Sequence, residues 1–251
     1  ARNVRDYASF RTMRQGAAAD EDAIVRLRGV APLAVRGGTT DLATIWELFH
    51  RGEYFSENPI RPRTVLDLGA NIGSFLAFIV ARAGDILEHY VAVEADAGSH
   101  AALAGQIDRM QLNDRVTLLH AAAWGHDGLV SFADSGPEWG RSVVAGGGAE
   151  VEALRVDSIL DRAGMDTCEL VKMDIEGGED DVLPGLATWA DRVEVLTVEL
   201  HGQPDSWLRE MVEAAGFRYL ARGQFFRHHP TAIREDVVDK WVTAGGEALS
   251  R

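Results

Sequence analysis

Cysteine, lysine and long apolar runs are scarce in this 251-residue sequence. Cys168 is the single cysteine, which excludes an internal disulfide and with it a disulfide-stapled scaffold. Lysine occurs only at Lys172 and Lys240, and no Lys/Arg cluster of the kind that binds a phosphate backbone is present. The longest apolar run, residues 75–81, is far shorter than the roughly 20 residues that a membrane span needs.

Acidic residues outnumber basic residues by 39 to 25, which gives a formal net charge of −14. Because this charge repels phosphate backbones, we expect a small-molecule partner and neither a nucleic acid nor a membrane. Apolar residues make up 46% and charged residues 25%, which is ordinary for a globular chain. The lone cysteine, and first residues that lack the apolar core of a signal peptide, predict a cytoplasmic location. The oligomeric state stays open.

Short apolar runs alternate with helical stretches from about residue 63 onward. Thr64–Leu68 and Tyr90–Glu94 are the first two such runs, and each precedes a segment with helical spacing. This alternation is typical of βαβ units and predicts a parallel sheet that binds ligands at the carboxyl ends of its strands. We expect the main domain to cover residues 61–251.

Residues 1–60 are expected to form an N-terminal helical segment that packs on this domain. Helices are predicted over residues 20–30 and 41–50, the second from apolar side chains spaced as on one helix face. Thr40 or Asp41 would cap the second helix, because a short oxygen side chain accepts from its first N–H groups.

The first strand of the main domain ends in a glycine-rich turn. Gly69 and Gly73 are spaced differently from the glycines of the dinucleotide pattern, and Asn71 and Ser74 stand where that pattern asks for glycine. The turn fits better the acidic-x-Gly-x-x-x-Gly arrangement of S-adenosylmethionine (SAM)-dependent methyltransferases, with Asp67 as the acidic residue. Asp67 is expected to face the ammonium of the cofactor. Glu94, which ends the second strand, is expected to accept the two ribose hydroxyls.

Two later strands end in acidic and imidazole side chains. Residues 172–179 read Lys-Met-Asp-Ile-Glu-Gly-Gly-Glu, and residues 198–202 read Val-Glu-Leu-His-Gly. With residues 65–73, Val-Leu-Asp-Leu-Gly-Ala-Asn-Ile-Gly, and residues 93–95, they resemble the FkbM family of methyltransferases. The resemblance extends over roughly residues 33–202, and the combination of the two longer motifs is far more specific than either alone.

This resemblance implies an α/β, Rossmann-like methyltransferase fold: a doubly wound, seven-stranded, mostly parallel sheet with one antiparallel strand, here with the N-terminal helical extension. It implies SAM as the cofactor and hydroxyl groups of natural products or sugars as methyl acceptors. The residues that the resemblance places around the cofactor are Asp67, Gly69, Asn71, Gly73, Ser74, Glu94, Ala95, Ala122, Ala123 and Asp174.

Four side chains just past neighbouring strand ends are the catalytic candidates: Asp174, Glu176, Glu199 and His201. Glu199 and His201 are two residues apart, so on an extended strand they point to the same side. His201 is the favoured base, because its unperturbed pKa lies near neutrality. In an alternative interpretation, Asp174, Glu199 and His201 hold Mg²⁺ or another divalent cation, which lowers the pKa of the acceptor hydroxyl. Asp174 and Glu176 have a further alternative, which is to bond the backbone of the turn that follows.

Other side chains are assigned from their local context. Tyr54, Trp139, Arg141 and Ser142 are candidates for binding the acceptor, the last three in a glycine-rich loop with the composition of a lid. Glu179 is interpreted as a first-turn acid that complements a helix dipole. The pair at residues 228–229, His-His, is interpreted as a solvated strand end.

The sequence therefore predicts a SAM-dependent methyltransferase that methylates a hydroxyl of a small molecule, a natural product or sugar, by base- or metal-assisted in-line transfer. Two alternatives remain open at this point. An N-methyltransferase needs no strong base if the amine arrives neutral, and a non-catalytic scaffold would bind the cofactor without transferring a methyl group.

Overall fold

The computed structural model describes residues 2–4, 22–56, 60–132 and 149–246. Its strands are β1 (Arg2–Val4), β2 (Ala23–Val25), β3 (Leu33–Val35), β4 (Thr64–Leu68), β5 (His89–Glu94), β6 (Val116–His120), β7 (Ala122–Ala123), β8 (Gly128–Phe132), β9 (Ala149–Leu154), β10 (Cys168–Met173), β11 (Val193–Val198), β12 (Phe217–Leu220) and β13 (Thr231–Arg234). Its helices are α1 (Asp41–Trp46), which continues as a π-helical turn over Glu47–Arg51, α2 (Ser74–Ala83), α3 (Ala97–Met110), α4 (Val156–Arg162), α5 (Glu179–Val182), α6 (Asp205–Ala214) and α7 (Val238–Gly246).

Seven strands form the central sheet in the order β12-β13-β11-β10-β4-β5-β6. The strands from β11 to β6 are parallel, whereas β13 is antiparallel to both of its neighbours. The chain runs outward from β4 through β5 to β6 and then returns to β10 on the other side of β4. The predicted doubly wound, mostly parallel fold is confirmed. The strand order reverses between β4 and β10, and ligands bind beyond the strand ends at such a reversal.

Both faces of the central sheet are covered, as parallel strands require. Along β4, Leu66 and Leu68 belong to an apolar cluster with α4 and α6, and Val65 belongs to a second cluster with α2 and α3. Alternate side chains of a strand reach opposite faces. Because each fully buried aliphatic side chain contributes about 1.5–3 kcal/mol, the strand ends that carry the polar motifs are held by a rigid frame.

The helix predicted over residues 20–30 is wrong. The chain forms strand β2 there, paired antiparallel with β3. The first and third residues of β2 are buried and the second is less so, which is the two-residue period of a strand. Gly29, at φ +74°, turns the chain between the two strands. Pairing with β3 therefore decides the conformation of this segment.

The helix predicted over residues 41–50 is confirmed as α1 with its π-helical turn, and it ends at Gly52 in the left-handed conformation. The expected N-cap is not formed: among the described residues, no side chain accepts from the first N–H groups of α1. The carboxylate of buried Asp41 instead accepts from the backbone N–H of Arg36 (2.8 Å) and from its guanidinium Nη2 (2.7 Å). This pair ties β3 to α1.

Two further sheets of three strands flank the central one, with the orders β1-β2-β3 and β7-β9-β8. Side chains of β2, β3 and α1 share an apolar cluster with Ile72 and Ala77, so the N-terminal segment packs on the glycine turn and α2. Among the described helices, none has the length and apolar character to cross a lipid bilayer.

Candidate active site

A cavity of about 480 Å³ opens where the carboxyl ends of β4, β10 and β11 meet. The glycine turn after β4 forms one side, and the segments after β10 and β11 form the floor. The opposite wall comes from α1, its π-helical turn and Glu53–Tyr54. The cavity therefore lies at the reversal of strand order, where the sequence places its motifs.

Close packing explains the two glycines of the turn. Gly69 has φ +77°, and a Cβ added there would lie 1.8 Å from the carbonyl oxygen of Asp174. Gly73 has φ +85°, and its added Cβ would lie 2.6 Å from Leu103 Cδ1 on α3. Both positions need glycine before any ligand is considered, because the backbone turns left-handed in contact with its neighbours.

The turn leads into an open helix end. Asn71 has φ +50°, and its side-chain oxygen accepts from the N–H of Ile72 at 2.8 Å. No side chain caps α2. Ser74, its first residue, is buried at the cavity surface, and its hydroxyl has no hydrogen-bond partner among the described residues. An uncapped helix start with a free hydroxyl is suited to an anionic group.

Glu94 holds the glycine turn to the start of α3. Its Oε2 accepts from the N–H of Asn71 at 2.7 Å, and its Oε1 accepts from the N–H of Asp96 at 2.7 Å. Burial raises the pKa of Glu94 to about 7, although these two N–H bonds oppose the rise. Nothing in the geometry tests its predicted contact with a ribose, which stays a prediction.

Asp67 does not face the cavity, so the expectation of a direct contact with the cofactor ammonium is wrong. The side chain is fully buried, and its Oδ2 accepts from the hydroxyl of Tyr90 at 2.5 Å. Its Oδ1 lies 3.2 Å from Nζ of Lys172, the neighbouring residue on β10. The strand register places Lys172 directly beside Asp67, so the ammonium of Lys172 and the hydroxyl of Tyr90 occupy the two carboxylate oxygens.

Lys172 was not among the candidates from the sequence, yet it joins the two strand ends. Its Nζ donates to the carbonyl oxygen of Gly69 at 2.7 Å and lies 3.3 Å from Oδ2 of Asp174. Burial lowers the pKa of Lys172, but Asp67 and Asp174 raise it by more, so that the net shift is upward. The sequence signal was a lysine within an apolar strand, where a cation requires buried partners.

His201 lies among four carboxylates, as the motifs predict for three of them. Its Nδ1 donates to Oε1 of Glu179 at 3.0 Å. Its Nε2 lies 3.4 Å from Oε2 of Glu176, 4.0 Å from Oδ1 of Asp174 and 4.0 Å from Oε1 of Glu199. The hydrogen bond to Glu179 raises the pKa of His201 to about 9, against the effect of burial.

Glu179 stands in the first turn of α5, as expected, and it has a second role that the sequence did not indicate. It is fully buried at the start of the short helix α5, and the same Oε1 also accepts from the N–H of Ile175 at 3.2 Å. Its position therefore orients the imidazole of His201. The spacing of the motif did not reveal this contact, because it depends on the fold of residues 174–179 back towards β11.

The remaining carboxylates of the cluster share one electrostatic pattern. Burial raises the pKa of Glu176 to about 7, and the charge of Asp174 adds to it. Burial raises the pKa of Glu199 to about 8, with further contributions from Asp174 and Glu53. One ligand atom from each of Asp174, Glu176 and His201 lies within 4.8 Å of the others, a grouping that can hold a metal ion. It contains Glu176 in place of Glu199 of the predicted set.

Tyr54 lines the cavity, as expected for a candidate acceptor residue. It is buried against the ring of His229, with 4.4 Å between ring centroids, and its hydroxyl has no partner among the described residues. Its neighbour Glu53, which sequence reasoning missed, also lines the cavity, and burial raises the pKa of Glu53 to about 7. Trp139, Arg141 and Ser142 lie outside the described residues.

The interpretation of residues 228–229 as a solvated strand end is wrong for His229, which is buried. Its Nε2 lies 3.9 Å from Oε2 of Glu199, and burial lowers the pKa of His229 to about 4. Ala122 and Ala123 are buried in β7, where Ala95 packs against the same cluster. Among the described residues, none of these three alanines lines the cavity, and their contact with a cofactor stays a prediction.

Sequence similarity links most of the chain to one protein family. A family model described as the methyltransferase FkbM domain matches residues 67–219, more than half of the chain. None of the curated proteins compared with the chain matches it significantly.

Two solved methyltransferase structures are similar to the chain. An FkbM methyltransferase from Methylobacillus flagellatus KT is similar with a TM-score of 0.52 and 16% identity, over 77% of this chain and 52% of that one. A SAM-dependent methyltransferase from Aquifex aeolicus has a TM-score of 0.42 and 13% identity, over 76% of this chain and 95% of that one. The first likeness shows the fold, and this chain spans about half the length of the Methylobacillus protein.

Proposed function

The chain belongs to the FkbM methyltransferase family, and from this premise we propose that it is a SAM-dependent methyltransferase acting on a hydroxyl group of a small molecule. One observation supports this most: a single cavity joins the glycine turn to the imidazole of His201. The glycine turn offers a binding site for the cofactor, and the imidazole offers a group that accepts a proton. O-methylation needs both groups side by side, because alignment and proton removal together lower its barrier.

The residues around the glycine turn fit the polar groups of SAM. The uncapped start of α2 and the free hydroxyl of Ser74 suit its carboxylate. Asp174, whose carboxylate faces the cavity, suits its ammonium. Each oxygen of Glu94 accepts one N–H and keeps acceptor capacity for a ribose hydroxyl. The small side chains that suit the adenine ring are Ala95, Ala122 and Ala123.

His201 is the residue that we assign as the base. With a pKa of about 9 the ring is mostly protonated at neutral pH, and its neutral form, in which Glu179 accepts the Nδ1 proton, keeps a lone pair on Nε2 beside the cavity. SAM, when bound, supplies a methyl group on a cationic sulfur and leaves as S-adenosylhomocysteine with the electron pair of the broken C–S bond. The acceptor oxygen bonds to the methyl carbon while Nε2 takes the hydroxyl proton. The carboxylates around the ring then stabilise the imidazolium.

A divalent cation is the second candidate for activating the hydroxyl. Asp174, Glu176 and His201 present ligand atoms at suitable mutual distances, and Glu199 lies next to them. Carboxylate and imidazole ligands suit ions such as Mg²⁺ or Mn²⁺. A cation held there would lower the pKa of the acceptor hydroxyl, and His201 would then serve as a ligand in place of a base.

Calorimetric titration tests the cofactor assignment. We expect SAM and S-adenosylhomocysteine to bind and NAD not to bind. Glu94→Ala is expected to weaken SAM binding about tenfold or more, because it removes both the ribose acceptor and the clamp on the glycine turn. Glu210→Ala, an exposed glutamate on α6, is the matched control and leaves affinity unchanged. A chain that binds NAD but not SAM contradicts the proposal.

Transfer of a labelled methyl group from SAM to hydroxyl and amine acceptors tests the reaction. Label on oxygen supports the proposal, and label on nitrogen replaces it with N-methylation. A chain that binds SAM tightly yet labels no acceptor would be a scaffold. The same assay with a chelator separates the two mechanisms, because only the metal-assisted one loses activity and regains it with Mg²⁺ or Mn²⁺.

A further inference from the structure

The acceptor side of the cavity carries more carboxyl groups than its own cations can balance, and burial already raises the pKa of Glu53, Glu176 and Glu199. Five carboxylates line the cavity: Glu47, Glu53, Asp174, Glu176 and Glu199. Among the described lining residues, the cationic side chains are Lys172 and His201. Each is already engaged, Lys172 with the carboxylates beneath the glycine turn and His201 with buried Glu179.

Glu47, Glu53 and Glu199 are the least compensated of these acids. Arg51 lies 3.6 Å from Glu47 and 3.9 Å from Glu53, but its side chain is 54% exposed and its charge is screened by solvent. Glu199 faces Glu53 and Asp174, which both disfavour its ionised form. A bound SAM would add positive charge beside the turn only, which leaves exposed Arg51 as the cation near Glu47 and Glu53, and the imidazole of His201, already bonded to Glu179, near Glu199.

Two buried hydroxyls show independently that the cavity is built for a polar ligand. Tyr54 and Ser74 are 4% and 2% exposed, both line the cavity, and neither hydroxyl has a hydrogen-bond partner among the described residues. Buried polar groups nearly always find a partner in a folded protein. Ser74 stands on the cofactor side, so the hydroxyl of Tyr54, between Glu53 and the ring of His229, is the one that serves the acceptor.

We propose that the acceptor is an amine-bearing alcohol, with its ammonium held by Glu53, Glu199 and Glu47 and its hydroxyl presented to His201. This inference rests on the proposed function and specifies its substrate class. An amine among carboxylates keeps its proton, so it has no lone pair for the methyl group, and the hydroxyl is the nucleophile. Phosphorylated and carboxylated acceptors are excluded, because like charges repel inside a partly buried site.

Three small probes that differ in charge test the proposal on the protein saturated with S-adenosylhomocysteine. Ethanolamine, ethylene glycol and glycolate each pair a hydroxyl with an ammonium, a second hydroxyl or a carboxylate. Binding is measured by ligand-observed NMR at neutral pH in the presence of a chelator. We expect ethanolamine to bind about tenfold more tightly than ethylene glycol, and glycolate to bind more weakly than both.

Two variants locate the preference. Glu53→Gln is expected to remove most of the advantage of ethanolamine while S-adenosylhomocysteine still binds, which shows that the variant is folded. Glu210→Gln makes the same charge change on the exposed face of α6 and is expected to keep the advantage. If both variants behave alike, the preference comes from the net charge of the chain and the proposal is wrong.

Every other outcome also decides the question. Equal binding of the three probes, a preference for glycolate, or no binding of any of them overturns the acceptor class, while intact S-adenosylhomocysteine binding leaves the proposed function standing. If the unmodified protein does not bind S-adenosylhomocysteine, that result counts against the proposed function itself. If Mg²⁺ abolishes the preference for ethanolamine, the carboxylates serve a metal ion and the proposal fails.

Discussion

The cavity has two charged regions that are built in opposite ways. Beneath the glycine turn, Asp67, Lys172 and Tyr90 are buried, and the carboxylate of Asp67 accepts from the hydroxyl of Tyr90 and forms an ion pair with Lys172. Around His201, Glu176 and Glu199 are only partly buried, and their charges are incompletely matched by the chain itself. Buried charges must be paired for the fold to form, whereas unmatched charges at a cavity surface cost stability and are retained for a ligand. The first region therefore holds strands together, and the second is the one to which we assign the proposed chemistry.

The largest effect is expected at His201. His201→Gln removes the proposed base, so kcat for methyl transfer should fall about 10²- to 10⁴-fold, with S-adenosylhomocysteine affinity little changed. Glu179→Gln keeps the imidazole and weakens its orientation, so its kcat should fall less. A rate assay with a titrated acceptor separates kcat from KM. Unchanged kcat in His201→Gln would remove the residue from the mechanism.

The two lysines of the chain allow a matched test of the buried region. Lys172→Met leaves Asp67 buried without its cation, which should lower the free energy of unfolding by about 3–5 kcal/mol. Lys240→Met removes a cation that pairs with Glu169 and Glu194 near the surface and should cost about 1 kcal/mol or less. Urea denaturation measures both. Equal losses would contradict the division into a structural and a chemical region.

A smaller effect is expected from pH. The pKa of Glu53 and of Glu94 is about 7 in the folded protein because both are buried, against an ordinary value of 4.5. The folded state therefore binds more protons than the unfolded state between these values, and stability falls as the pH rises through this window. Thermal unfolding without ligand should show a melting temperature several degrees lower at pH 8 than at pH 6. Glu53→Gln should reduce this dependence of the melting temperature on pH. A melting temperature that rises from pH 6 to pH 8 would contradict the assignment.

The sequence predicted the sheet and its site because both depend on local patterns. Alternation of strands and helices is sufficient for the doubly wound fold, and parallel strands bring their carboxyl ends together wherever they pair. For that reason Asp174, Glu176, Glu199 and His201 could be placed around one point without coordinates. Strand β2 was missed because its three residues become a strand only through pairing with β3.

The contacts that sequence reasoning missed all depend on burial. Asp67 lies at the position of a ligand-facing acid, but its carboxylate is engaged by Tyr90 and Lys172 and is fully buried. Glu179 reaches His201 across 22 residues, and His229 is covered by Tyr54 from a segment more than 170 residues away. Whether a polar side chain is exposed or buried depends on how the folded chain packs around it, and the order of residues in the sequence does not show this packing.

The carboxylate of Glu94 joins two parts of the chain that follow different strands. One oxygen accepts from the N–H of Asn71 in the turn, and the other accepts from the N–H of Asp96, which precedes α3. A rotation of this single side chain therefore displaces both ends of the expected cofactor site at once, because both backbone segments are hydrogen-bonded to it. Adenosine and methionine, offered as separate fragments, should consequently reinforce each other's binding, since ordering one end prepares the other.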